Sequence, residues 1–459
     1  MLHRAVALLV FALVASPRPA AAAEVQVEGF YQMRGRLFDT LSLNRSISGS
    51  EGLSWYVQHR LWLRPKILVS DKVALIVDVK GLDGVAWGEA PVRDGVTLVD
   101  AQPFLPVLSD RLEAIGTAEE GRPAVDISLW RAWAEIHTKV GTFRFGRMPL
   151  RWGLGIWQND GLGVNADFGD SADRISWEHL VQNVWMRVAA DVNTEGLIHE
   201  TDDTTSFNAA VGYRTERMEG GVQFQYRRRN EAGSRFNLYT IDGTFDLAFG
   251  PINLAGEVVG QFGDGDLAGG IDGARLMSVG AVVDAQLTLE KARVGLEAGL
   301  ATGDGDLGDT RLRSFSFDPD YNVGFILFEQ AMPVLETVSA TGEPAGRDTT
   351  HALTGNGVSN ALYLRPRVSY QIVRGLWAEG SLLAARTAKV PQALKDAGRQ
   401  GYGYEIDLGL RYSGIDHFAV SGVFGTFIPG RFFKGYESGA VTGFNAPVFG
   451  GQLTARVEF

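Results

Sequence analysis

Arginine supplies most of the positive charge of this chain, with 35 Arg and 8 Lys among its 43 basic residues. Several arginines recur two residues apart, a spacing that places side chains on one face of a β-strand. The arginines predicted to share such a face are Arg34, Arg36, Arg60, Arg64, Arg227, Arg229, Arg365, Arg367 and Arg411. A guanidinium keeps its charge and presents a planar fork that suits carboxylate, sulfate or phosphate. Arginine ladders along a pore favour anions.

Carboxylates occupy the same predicted faces and leave a second interpretation open. They are Glu28, Glu257, Glu297, Glu379, Glu405 and Asp407. Paired across neighbouring strands, they would neutralise the arginines in a structural ladder with weak selectivity. The net charge of −11 does not decide between the two interpretations, because much of the acid falls in predicted loops.

Aspartates alternate with glycine in two similar predicted turns, Gly263 to Asp266 and Gly303 to Asp306. The candidate metal ligands are Asp264, Asp266, Asp304, Asp306 and Asp309. Oxygen ligands on a tightly turning backbone suit hard cations such as Ca²⁺, although the complete twelve-residue calcium loop is absent. Solvated turns are the alternative, and no other cofactor is predicted.

Catalysis and nucleic-acid binding find no support in the sequence. The histidines after residue 23 form neither a nucleophile elbow nor a zinc-binding H-E-x-x-H motif. The basic residues are dispersed along the chain instead of forming a patch. We therefore predict no catalytic residues and no enzyme.

Strict alternation of apolar and polar residues identifies the elements that carry these side chains. At Val448 to Phe459, Phe449, Leu453 and Val457 fall on one face, and the opposite face becomes polar toward the end. The same period of two recurs along the chain. The predicted strands are 24–38, 54–66, 72–80, 125–138, 141–148, 173–181, 184–191, 206–216, 220–229, 236–249, 252–262, 276–289, 292–302, 360–372, 376–386, 402–412, 417–427 and 447–459.

Short connections such as Lys139-Val140 and Gly250-Pro251 alternate with longer ones. The long connections are 39–53, 81–124, 149–172, 192–205, 230–235, 263–275, 303–359, 387–401 and 428–446. This asymmetry is typical of transmembrane β-barrels, with short periplasmic turns and long extracellular loops. We predict an all-β antiparallel barrel of about eighteen strands, with sixteen to twenty possible. A barrel of this width admits water unless loops plug it.

Two of the long loops contain apolar stretches, Ala101 to Leu108 and Val323 to Phe328. Apolar stretches of this kind would promote aggregation if they were exposed to water, so we expect other parts of the structure or a partner to bury them. Folding into the lumen as a constriction is one interpretation, and packing on the rim, on a partner or in the outer leaflet is the other.

The first 23 residues resemble a secretory signal peptide. Arg4 precedes an apolar run, and Ala21-Ala22-Ala23 precedes Glu24. No apolar run is long enough for a membrane-spanning helix, and the chain has no cysteine. We therefore predict cleavage near Ala23 and one barrel domain, 24–459, in the outer membrane of a Gram-negative bacterium.

Two motifs resemble the alginate-export family of outer-membrane porins. Residues 403–433 read GYEIDLGLRYSGIDHFAVSGVFGTFIPGRFF, similar to a late hairpin of that family, and Phe145 to Gly153 resembles its Gly-Arg-Gln strand with Met148 in place of glutamine. The resemblance implies a monomeric eighteen-stranded channel with an arginine-lined lumen that moves an anionic polysaccharide or small anions. It carries over Glu405, Asp407 and Arg147 as motif residues.

These observations predict a passive channel for hydrophilic or anionic solutes or acidic saccharides. A barrel plugged by loops, acting as a receptor, adhesin or scaffold, is the alternative. The expected partners are outer-membrane lipid, a small solute and the machinery that inserts barrels.

Overall fold

The structure is a computed structural model that describes residues 24–39, 53–86, 92–93, 96–97, 127–194, 203–231, 234–267, 271–306, 309–329, 357–390, 400–434 and 446–459. The predicted signal peptide and the apolar stretch 101–108 lie outside these residues. Within them, no helix is long and apolar enough to cross a membrane.

Eighteen long strands form one antiparallel sheet. They are β1 (Glu24–Asp39), β2 (Leu53–Ser70), β3 (Val73–Ala86), β4 (Ile127–Thr138), β5 (Gly141–Pro149), β6 (Ser171–Val181), β7 (Val184–Thr194), β8 (Thr204–Arg214), β9 (Met218–Glu231), β10 (Ser234–Phe249), β11 (Ile252–Leu267), β12 (Ile271–Thr288), β13 (Ala292–Ala301), β14 (Ala361–Val373), β15 (Leu376–Thr387), β16 (Gly401–Ile415), β17 (Phe418–Pro429) and β18 (Val448–Glu458). Each pairs with the next along the chain.

The sheet closes between β1 and β18. β1 pairs with β2 on one side and with β18 on the other, where Phe30 lies opposite Glu458. Two backbone hydrogen bonds between Gly29 and Phe459, of 2.9 and 3.0 Å, extend the seam. Closure leaves no unpaired edge, which a hydrocarbon layer would penalise.

Alternation separates an apolar outer surface from a polar interior. On β8, Phe207 and Val211 are 59% and 52% exposed on the outside, whereas Ser206 and Asn208 are buried inside. The outer surface has the apolar band that a bilayer requires. The prediction of an eighteen-stranded antiparallel barrel is confirmed.

Several predicted boundaries differ from the structure. One change concerns Gly263 to Asp266, predicted as a turn, which continues β11 up to Leu267. The backbone of Gly265 lies so close to the Arg235 carbonyl that an added Cβ would come within 2.1 Å of it. Glycine at this position lets β11 remain paired with β10, so the loop shrinks to the residues between β11 and β12.

Smaller elements occur in the described connections. Arg311–Leu312 adds a two-residue parallel strand beside β12, Val92–Arg93 pairs with Val96–Thr97, and Arg431–Lys434 forms one helical turn.

Candidate functional site

Residues 150–170, between β5 and β6, enter the lumen and are called loop A. Several of their apolar side chains are buried, among them Trp152, Ile156 and Trp157. Loop A contacts β2 and β11, which are half a circumference apart in a ring of eighteen strands. Loop A therefore crosses the barrel from wall to wall.

The wall around β1 and β2 binds one side of loop A through long polar side chains. The Gln32 amide donates to the Val164 carbonyl at 3.0 Å, and Arg60 donates to the Gly161 carbonyl at 2.8 Å. Asp167 accepts a hydrogen bond from Arg34 and lies 3.4 Å from Arg36. Charged hydrogen bonds of this kind are the stronger class.

Glu257 of β11 holds the opposite side of loop A. Its Oε2 accepts the Gly155 backbone N–H at 2.9 Å, and the Ile156 nitrogen lies 3.5 Å away. At Gly153, whose φ is +51°, an added Cβ would lie 2.5 Å from the same carboxylate. The loop needs glycine to approach Glu257 this closely.

The described residues between β13 and β14, which are 302–306, 309–329 and 357–360, are called loop B, and part of loop B enters the lumen. The Glu405 carboxylate of β16 accepts the backbone N–H groups of Phe325, Ile326 and Leu327 at 2.5, 2.9 and 2.5 Å. Phe325 also stacks on Phe38 of β1. The apolar stretch Val323 to Phe328 thus lies inside the barrel.

The two loops are bonded to each other. Asp320 of loop B accepts the backbone N–H groups of Asp167 and Phe168 at 2.8 and 3.0 Å. Side chains of both loops join those of β1, β11, β12 and β13 to β18 in one apolar cluster inside the barrel. This cluster narrows the space left for water.

Two carboxyl groups at this junction have opposite pKa shifts. Burial alone would raise the pKa of Asp167, but the charges of Arg34 and Arg36 outweigh it and hold that pKa below its usual range. Burial raises the pKa of Glu329 to about 7, although Arg36 acts in the opposite direction. The neighbouring Asp167 and Asp320 charges raise it further.

Basic side chains predominate on the inner face of β18 and β1 to β9. They include Arg34, Arg36, Arg60, Arg64, Lys80, Arg131, Arg144, Arg174, Arg187, Arg227, Arg229 and Arg456. Acids on the same sector include Glu28, Asp78, Glu135, Glu178, Asp191 and Glu458. Some acids form ion pairs with two arginines, as Asp78 does with Arg64 at 2.6 Å and with Arg131 at 3.5 Å.

Acidic side chains predominate on the inner face of β10 to β16. They include Asp242, Glu257, Asp284, Glu297, Glu379, Glu405 and Asp407. The arginines there include Arg293, Arg365, Arg367 and Arg411. The lumen is therefore polarised across its width, with loop carboxylates facing the basic wall and loop N–H groups facing the acidic wall.

All the predicted pore-lining residues lie on the inner face, and their partners differ. Arg64 donates to Asp78, Arg367 to Glu297 at 3.1 Å, and Arg411 to Glu379 at 3.0 Å. Arg365 lies 3.8 Å from Glu297, and Asp407 accepts from Ser381 at 3.0 Å. Arg227 and Arg229 are buried on β9. Their role in conduction stays a prediction.

The ladder interpretation holds for some carboxylates only. Glu28, Glu297 and Glu379 lie beside arginines, whereas Glu257 and Glu405 bind loop backbone. Arg147 lies on the outer face and bonds Asp173 at 2.7 Å.

Aromatic rings alternate with the basic side chains on the wall of β1 to β4. Lys80 and Arg131 lie 3.4 and 3.3 Å from the ring centre of Trp130. Arg64 lies 4.7 Å from Trp62. These cation–π contacts hold the charged groups in place.

Arg131 shows why some site residues escaped prediction. Ile127 and Leu129 point outward and are 77% and 63% exposed, yet Arg131 points inward and is buried. The pairing with β3 skips one residue between Arg131 and Leu129, and this bulge reverses the alternation. Arg174 and Arg187 follow the ordinary alternation of β6 and β7, so a full register count would have found them.

The predicted calcium ligands are arranged differently from a metal cluster. Asp304 accepts the Arg313 side chain at 3.0 Å, and Asp309 lies 3.0 Å from the same guanidinium. Asp264 and Asp266 lie on β11. Among the described residues, no three acids or histidines are grouped as metal ligands. Calcium binding at these aspartates stays a prediction.

Comparison with known proteins identifies the fold. No family model matches the chain, and no curated protein matches it in sequence. Among solved structures, OpdL of Pseudomonas aeruginosa has a TM-score of 0.53 at 10% identity and covers 95% of this chain and 99% of its own. OpdK from the same organism, solved with vanillate, has a TM-score of 0.51 at 11% identity, covering 95% and 98%. OccK11 (OpdR) has a TM-score of 0.50 at 10% identity, covering 95% and 96%.

The chain has the fold of outer-membrane porin structures. At these identities the likeness concerns the fold alone, so the predicted alginate-export resemblance stays unconfirmed.

Proposed function

We propose that this barrel is a passive channel of the outer membrane for small hydrophilic solutes, with a preference for anions and acidic saccharides. The observation that carries the proposal is the basic sector of β18 and β1 to β9. It runs along the lumen beside loop A and has more basic than acidic side chains. Fixed positive charge on a pore wall lowers the energy of a passing anion.

Loop A and loop B would set the size limit of this channel. Together they fill the sector of β11 to β18 with apolar side chains, so we propose the basic sector as the polar route. A narrow polar route beside fixed charges selects by size and charge together.

A single chain closes the whole barrel through the pairing of β1 with β18. We therefore propose a monomer, which light scattering on the detergent-solubilised protein would test. The apolar outer surface and the fold support the outer membrane as its location.

Single-channel recording across a salt gradient tests the proposal. The refolded barrel should conduct with anion preference, and replacing both Arg187 and Arg229 with Gln should reduce that preference. Arg147→Gln is the matched control, because Arg147 lies on the outer face, and it should leave the reversal potential unchanged. Cation preference in the unaltered protein would contradict the anion part of the proposal.

A plugged barrel that acts as a receptor, adhesin or scaffold is the second candidate. The apolar cluster that joins both loops to the wall favours it. Absence of conductance from protein shown to be a folded barrel would support this candidate and overturn the channel.

A further inference from the structure

Three arginines on the outer face of the barrel lie in one row, near the end that carries the long connections. Arg228 of β9 lies opposite Asn237 of β10, which in turn lies opposite Asp264 of β11. Asp264 lies opposite Arg275 of β12, and Arg275 pairs with Arg311 of the two-residue parallel strand. Arg228, Arg275 and Arg311 are called the rim arginines.

Strand alternation points the rim arginines away from the lumen. The two residues that flank Arg228 in sequence are buried on the inner face, and Arg228 itself is partly buried on the outer face. Arg275 and Arg311 are exposed, whereas Leu276 and Leu312, which follow them, pack in an apolar cluster on the inner side. The rim arginines are therefore accessible to molecules that surround the barrel.

A row of aromatic and apolar side chains borders the rim arginines on the side of the short connections. It consists of Phe207, Tyr226, Tyr239, Phe262 and Met277, which lie opposite one another across β8 to β12. Four of these side chains are exposed, and Tyr226 is partly buried. Outward aromatic rings mark the level where the hydrocarbon layer meets the lipid headgroups. The rim arginines follow directly above that level.

The guanidinium groups of the rim arginines are not neutralised within the described part of the chain. None of them forms an ion pair there, unlike the nearby Arg313, which pairs with Asp304 and Asp309 at 3.0 Å each. The Nε of Arg228 is buried and has no hydrogen-bond partner among the described residues. Buried donors nearly always have a partner, so this group indicates a contact with another molecule.

The row carries more positive than negative charge. Asp264 is the acid within the row, and no ion pair joins it to Arg275 in the described structure. Closer to the long connections, Arg235 and Asp266 carry opposite charges that cancel. The three rim arginines against Asp264 alone leave a positive strip on the outer face.

We propose that the rim arginines bind the phosphate groups of a phosphorylated glycolipid in the outer leaflet. The planar fork of a guanidinium suits phosphate oxygens. Arg228 and Arg275 are three strands apart, a separation of about 14 Å, so a headgroup with a phosphate at each end can contact both. The aromatic row below contacts the acyl chains of the same lipid. A soluble anion would make the charged contacts without the apolar ones.

The proposed lipid site occupies one side of the barrel. At the same end of β16 to β18, the outward side chains Tyr404, Ile428 and Phe449 are exposed and uncharged. The site lies outside the lumen, so the proposal does not depend on conduction or on ion preference. It depends on the outer-membrane location and on the long connections facing the cell exterior.

Native mass spectrometry of the folded barrel in detergent, titrated with diphosphoryl lipid A, tests the proposal. The unaltered protein should bind this lipid more tightly than the same lipid without its phosphates. Arg228→Gln combined with Arg275→Gln should weaken binding of the phosphorylated lipid by about tenfold or more, and binding of the dephosphorylated lipid should not change. The matched control combines Arg147→Gln with Arg386→Gln, two outward arginines outside the row, and should bind like the unaltered protein. Circular dichroism verifies folding of each variant.

Asp264→Asn provides a variant with the opposite expected effect, because it removes the negative charge from the row. It should bind the phosphorylated lipid about threefold more tightly, which a general disturbance of the fold would not produce. The proposal is overturned by equal binding of the double variant, by an equal loss in the control, or by Asp264→Asn binding no more tightly. Complete displacement of the lipid by inorganic phosphate would assign the row to a soluble anion and would overturn it as well.

Discussion

Single carboxylates decide how the interior of this barrel is arranged. Glu257 and Glu405 of the wall bind loop backbone. These two carboxylates accept backbone N–H groups of the loops instead of pairing with arginines. Asp167 of loop A binds Arg34 of the wall, and Asp320 of loop B binds the backbone of loop A. An acid in a pore wall can therefore serve as a loop anchor as well as a charge on the solute path.

Asp167→Asn should loosen loop A. The substitution removes the charge that holds Arg34 and Arg36, at a cost of about 2 kcal/mol for a charged hydrogen bond. We expect more frequent current fluctuations and stronger anion preference, measured by single-channel recording. Asp173→Asn, which affects only the outer-face pair with Arg147, is the control and should leave both unchanged.

The lowered pKa of Asp167 also predicts where this contact resists acid. This contact stabilises the folded state at every pH above the ordinary aspartate pKa of about 3.9. The stabilisation is lost as the pH falls through the lower pKa that Asp167 has in the folded state. The Asp167 contact should therefore remain intact from pH 8 to pH 5. If the unaltered protein at pH 5 showed the same current fluctuations as Asp167→Asn, this prediction would be wrong.

The pKa of Glu329 predicts the opposite dependence of stability on pH. Its folded-state pKa of about 7 lies above the ordinary glutamate value, so the folded state binds more protons and loses stability as the pH rises toward 7. Glu329→Gln should flatten this part of the curve of melting temperature against pH. Glu379→Gln, at the ion pair with Arg411, is the comparison variant and should retain the slope.

At the scale of elements, local patterns specified the strands and long-range contacts specified the loops. Each strand carries its own alternation, so eighteen strands could be predicted from the sequence. Loop A could not, because Gly155 and Ile156 find their partner about a hundred residues away on β11. The bulge near Arg131 was also hidden, since it depends on how β4 pairs with β3.

Replacing residues 153–167 with a short Gly-Ser linker should widen the lumen. Single-channel conductance should rise several-fold, because the segment that crosses the barrel is gone. Crosslinking the loop in place, with Gln32→Cys and Val164→Cys in this cysteine-free chain, should leave conductance unchanged before and after reduction. Equal conductance with and without the loop would show that loop A does not limit the route.

At the scale of the whole molecule, the barrel depends on its last strand. β1 stays unpaired on one side until β18 arrives, and Phe459 extends that seam. An open edge of this length invites pairing with other chains. Closure should therefore be the step that commits the chain to its final form.

Removing Phe459 should slow assembly more than it weakens the finished barrel. Only two backbone hydrogen bonds are lost, worth about 1 kcal/mol each, and we propose that the insertion machinery reads this strand. Pulse-chase assembly in cells should be delayed, while the melting temperature of refolded protein changes little. If removing Phe459 delayed spontaneous refolding by the same factor, the effect would belong to the strand itself and not to the insertion machinery.

A ring of eighteen strands is mechanically a hoop, and a hoop bends easily from a circle into an ellipse. Loop A is bonded to β2 at one end of a diameter and to β11 at the other, so it works as a strut that sets that diameter. Its contact with loop B braces the strut sideways. A barrel without this brace should sample many cross-sections, and its conductance levels should form a broad distribution instead of a single value.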